Sequence, residues 1–133
     1  MTLSFASRIF STALLVCTPV FVKADDTRSP EYKRGRLLYI QCRACHDLQP
    51  NPVDKAGPNL SGIIGKRAGR VPEFGYSAAL SASEIVWDRA TLDRWIEKPG
   101  AVVPGNTMAF AGIANATDRA ALVRYIEIDS APR

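Results

Sequence analysis

The densest chemistry in this 133-residue chain is the stretch CRACH, residues 42–46: two cysteines three apart, then His46, the only histidine. Thiols and an imidazole can serve as redox groups or metal ligands, and four uses compete. A Cys42–Cys45 disulfide suits an oxidising compartment, but it closes a very small loop and gives His46 no task. A thioredoxin-like pair needs a βαβ setting, and strand signals are poor here. Structural zinc takes four ligands. Adjacent Cys45 and His46 can hardly both reach one tetrahedral ion, and no clustered carboxylates complete a set. Covalent haem attachment fits C-x-x-C-H best. Two thiols on one helical turn can each add to a vinyl group on the same porphyrin edge. The next residue then projects its imidazole toward the iron.

Iron bound by His46 has a second face to fill. Apart from Met1, the chain has one methionine, Met108, in the stretch PGNTMAF. An average methionine fills gaps in a core. Met108 is the only soft ligand left, and its loop, ordered by proline and glycine, has no other evident purpose. A thioether ligand stabilises ferrous iron and raises the reduction potential. With both axial positions taken there is no site for a substrate at the iron, and the expected chemistry is electron transfer without catalysis.

Positioning these groups falls to one domain. The N-terminus reads as a secretory signal: a basic MTLSFASR, an uncharged run over residues 9–22, and a cleavage site ending at Ala24. That run is shorter than the roughly 20 residues a membrane-spanning helix wants, and Pro19 interrupts it. Residues 1–24 are therefore read as a signal peptide, Cys17 included, and residues 25–133 as the domain. An uncleaved segment would act as an anchor; otherwise membrane contact is transient. Composition is ordinary for a globular protein, 47% hydrophobic and 23% charged. The formal charge of +4 comes without a basic block or stripe, so nucleic acid is not an expected partner.

Apolar residues recur mostly at helical spacing. Ser29-Pro30-Glu31 starts a helix that runs through Tyr32, Leu38 and Tyr39 and delivers Cys42 at its end. Residues 55–75 read as loop, with a possible turn at 60–64. Ser77 to Ser83 suits a short helix. Asp88 caps DRATLDRWIEK, in which Leu92, Trp95 and Ile96 share a face and which Pro99 stops. A last helix starts near Asn115 or Thr117, with Ala121, Leu122, Tyr125 and Ile126 inward. The expectation is all-α: three main helices, one or two short ones, and loops long enough to need a large buried group to order them.

Together with CRACH, the stretches GPNLSGIIGKRAG (57–69), FGYS, IVW, TLDRWIEKP (91–99) and PGNTMAFAGI (104–113) are specific. The chain resembles the class I cytochromes c, mitochondrial-type and bacterial, from Gly35 to Ile126. The resemblance implies their fold, long loops wrapped around one covalently bound haem c. It implies thioethers at Cys42 and Cys45 and axial ligands at His46 and Met108. The carbonyl of Pro58 would accept the other ring N–H of His46, as outer partners of metal ligands do. Tyr76 and Trp87 would meet a haem propionate, and Gly35 with Tyr39 and Tyr125 would form the crossing of the first and last helices.

Departures from the family pattern fall around the haem. Leu80 replaces an asparagine near the propionates, and Trp95 replaces a tyrosine that reaches the methionine sulfur. Asn106 and Thr107 stand where threonine and lysine usually precede the methionine; Asn106 can still donate to a propionate. Gln41, Gly100, Ala101 and Thr107 occupy positions that are often basic, which weakens electrostatic steering. The sequence thus reads as a periplasmic single-haem electron carrier, exchanging electrons with redox proteins through a porphyrin edge near Cys42, Cys45 and Val103. Two rival readings are a cytochrome subunit dedicated to a periplasmic dehydrogenase and a haem-based ligand sensor.

Overall fold

The computed structural model describes residues 27, 29–51, 53 and 55–132. The proposed signal peptide lies outside these residues. Helix α1 spans Pro30–Leu38; the Ser29 hydroxyl caps it by accepting from the Tyr32 amide at 3.1 Å, and Pro30 supplies a pre-set φ at the first turn. The expected single helix to Cys42 is in fact two. Helix α2, Ile40–Arg43, follows a break at Tyr39. There the Cys42 amide bonds to the Tyr39 carbonyl at 2.9 Å, an i to i+3 spacing that tightens the turn.

Four further helices follow: α3, Ala78–Ser81; α4, Arg89–Glu97; α5, Pro99–Val102; and α6, Ala116–Asp129. Ser77 caps α3 and Asn115 caps α6. Asp88 and Thr91 form a reciprocal capping box at the start of α4. Pro99 ends α4 as expected, yet it also opens α5, because a proline that cannot continue one helix is well suited to the first position of the next. No strand forms among the described residues; one antiparallel bridge joins Arg67 to Val86. The fold is all-α, with three main and three short helices among the described residues. No helix among the described residues is long and apolar enough to cross a membrane.

The crossing of α1 and α6 sets the frame. A Cβ built on Gly35 would lie 2.0 Å from the Ala121 carbonyl oxygen, so only glycine lets the two backbones approach this closely. Tyr125 packs between Tyr32 and Tyr39, with ring centroids 5.1 and 5.4 Å away. Arg34 closes the crossing with a two-pronged pair to Asp118 at 2.8 and 2.9 Å. Leu92, Trp95 and Ile96 of α4 are buried with Leu122, Val123 and Ile126 of α6. Leu122 is fully buried, and truncating such a residue to alanine typically costs about 2–5 kcal/mol.

Candidate functional site

The CRACH segment forms the turn that leaves α2. The amides of Cys45 and His46 both bond to the Cys42 carbonyl, at 3.0 and 2.9 Å, so the three residues share one tight turn. Neither Cys42 nor Cys45 is in a disulfide, and both are partly buried. Burial pushes the Cys42 thiol up to about 11, with a smaller contribution from Cys45. No group of three or more His, Cys, Asp or Glu side chains among the described residues could hold a bare metal ion. The zinc reading therefore finds no site there.

His46 is held from several sides. Its Nδ1 lies 2.8 Å from the carbonyl of Pro58, an acceptor, so Nδ1 carries the proton and Nε2 keeps a free lone pair. Desolvation lowers the pKa of His46, with the Pro58 bond partly opposing, which favours the neutral ring that a metal requires. Gly57 forms the cradle's floor: a Cβ there would come within 2.4 Å of His46 Cε1. The backbone of His46 is fixed by the Tyr39 hydroxyl, which donates to its carbonyl at 3.0 Å. Lys55 adds a clamp not evident in the sequence. Its ammonium donates to the carbonyls of Arg43 (2.9 Å) and His46 (3.4 Å) and pairs with Asp47 at 2.7 Å.

Met108 and Cys42 pack against one apolar cluster, built from Trp87, Leu92, Trp95, Val103 and Leu122 with Leu60, Ile63, Ile85 and Phe110 at its margin. The loop carrying Met108 is braced from within. Asn106 donates through its amide to the Val103 carbonyl at 2.8 Å, and its Oδ1 accepts from the Met108 amide at 3.1 Å. Its side chain thus orders the methionine loop, leaving one N–H for another acceptor. Trp87 is buried edge-on against Trp95, with centroids 5.3 Å apart. Tyr76 is half-buried against Phe74, and burial raises its phenol, the Val71 backbone partly opposing. Val103 is only 7% exposed and belongs to the same cluster.

The donor set fits a covalently held haem: two unpaired thiols on one turn, an imidazole presenting Nε2, and an apolar cluster reaching a thioether. Comparison with known proteins agrees. The chain is 40% identical over 93 residues to cytochrome c2 of Rhodomicrobium vannielii, covering 70% of this chain and 74% of that one. It is 39% identical over 108 residues to cytochrome c 2.1 of Caenorhabditis elegans, covering 80% and 96%. Among solved structures, cytochrome cH from Methylobacterium extorquens superposes with a TM-score of 0.67 at 31% identity, covering 73% of this chain and 97% of that one. No family model matches the chain.

Proposed function

Because the chain belongs to the class I cytochromes c, single-haem electron carriers with covalently attached haem c, we propose that it is a periplasmic carrier with His46 and Met108 as the axial pair. When bound, the haem iron supplies a one-electron ferric/ferrous couple. The chain's residues do the rest. Cys42 and Cys45 would anchor the porphyrin through thioethers. The Pro58 carbonyl fixes the ring of His46 and raises its basicity. Asn106 keeps the Met108 loop in place. Leu60, Ile63, Ile85, Leu92, Trp95, Ile96, Phe110 and Leu122 are the walls that would exclude water and so disfavour the extra positive charge of the ferric state.

Tyr76 and Trp87 would serve the propionates. Periplasmic residence is supported by the signal-like residues 1–24. Donor and acceptor would be redox proteins docking near Cys42 and Cys45. Gln41, Gly100, Ala101 and Thr107 are exposed and uncharged, so association should depend only weakly on salt. Those four uncharged positions also favour, as a second reading, a subunit that keeps one fixed partner.

The observation that carries the proposal is the Nδ1–Pro58 hydrogen bond of 2.8 Å beside two unpaired thiols. Acid-acetone extraction followed by a potentiometric titration tests it. Colour retained by the polypeptide and a one-electron transition support the proposal; extractable colour overturns it.

A further inference from the structure

The loop after Met108 is fastened to α4 at a point the electron-carrier reading does not use. Gly112 takes φ +98°, and a Cβ there would lie 2.0 Å from the Glu97 carbonyl oxygen, so the loop lies directly on the end of α4. The next amide, Ile113, bonds to the Ile96 carbonyl at 2.9 Å. Arg119 of α6 completes the joint. Its side chain is 9% exposed; Nε pairs with Asp93 at 2.9 Å, and Nη1 lies 3.4 Å from Glu97. Nη1 also donates to the carbonyls of Ile113 (3.2 Å) and Ala114 (2.8 Å).

A guanidinium has five donors in a rigid fork spread over three nitrogens, so Nε can hold Asp93 while Nη1 serves two carbonyls, whereas an ammonium concentrates three donors on one nitrogen. Removing it would leave two carbonyls and two carboxylates without this donor at a half-buried joint. On the near side Asn106 already braces the loop. Met108 therefore sits on a span pinned at both ends.

We infer that Arg119 is a positioning residue for the iron's sulfur ligand: it latches residues 112–114 to α4 and so limits how far Met108 can swing away. This rests on the reading of Met108 as that ligand. The latch acts on ligand exchange, not only on stability, and it controls how readily an outside ligand displaces the methionine.

Imidazole is the probe, titrated into ferric holoprotein while the visible spectrum is followed. Met108→Ala binds it much more tightly than wild type. Arg119→Met binds it about tenfold more tightly than wild type, with unchanged far-ultraviolet circular dichroism. Arg119→Lys, which keeps the charge but not the fork, falls between. Arg34→Met, which breaks the pair to Asp118 at the helix crossing, lowers Tm but leaves imidazole affinity at the wild-type value. If Arg119→Met lowers Tm while affinity stays at the wild-type value, the latch is overturned and Met108 stands. If Met108→Ala itself leaves affinity unchanged, both fall. Should Arg119→Met yield no holoprotein, Arg119→Lys decides in the same comparison, and wild-type affinity there overturns the latch.

Discussion

The ring of His46 rests against Gly57 with no room between them: a Cβ on Gly57 would sit 2.4 Å from Cε1, 2.7 Å from Nδ1 and 2.8 Å from the Cys45 carbonyl oxygen. The glycine is required by close approach, since the neighbouring Pro58 must bring its carbonyl to Nδ1.

Gly57→Ala should therefore push the imidazole off its acceptor. Losing an outer partner of a metal ligand typically weakens the hold about 10- to 100-fold. With His46 as the proposed iron ligand, the acid pH midpoint for its release should rise by about one to two units. Acid titration of the visible spectrum measures it, and an unshifted midpoint would mean the cradle has slack.

Gly35→Ala tests the frame. The added Cβ meets backbone, the Ala121 carbonyl oxygen at 2.0 Å, and no rotamer relieves that. Forcing α1 from α6 should cost about 1–3 kcal/mol or more. Guanidinium unfolding should show a lower midpoint at an unchanged slope. An unchanged midpoint would contradict the close crossing.

What the sequence made legible was local or contiguous. Ser29, Asp88 and Asn115 cap helices through bonds spanning three residues, so each start could be placed. Leu92, Trp95 and Ile96 repeat at helical spacing and are buried together. CRACH is legible because it is contiguous, as the proposed attachment of two thioethers and an imidazole to one ring requires. The unread features depend on distant partners. Lys55 reaches back to carbonyls of the CRACH turn. Arg119 looks like a surface charge in ATDRAALV, yet it is buried because Asp93 and Glu97 face it from α4. The break at Tyr39, whose hydroxyl reaches the His46 carbonyl, likewise left no mark in the apolar spacing.

Acid should destabilise the fold through identifiable carboxylates. Lys55 beside Asp47, the Thr91 amide on Asp88, Arg34 on Asp118, and Arg89 on Glu127 each hold the acid below its usual range. A depressed folded-state pKa contributes stability above the unfolded value, and that contribution is lost as pH falls through the folded value. Tm should accordingly drop from about pH 4 downward. Asp118→Asn should lower Tm at neutral pH and make the acid drop shallower. A variant whose Tm parallels wild type across the acid range would remove Asp118 from this account.

Carbon monoxide binding to the reduced protein is the most direct test of the axial pair. With the proposed pair of His46 and Met108 on the iron, ferrous wild type should show no spectral change under carbon monoxide at neutral pH, whereas Met108→Ala should bind it readily. A wild-type spectrum that shifts on exposure, as far as that of Met108→Ala, would mean the sixth position is open and the electron-carrier assignment of Met108 is wrong.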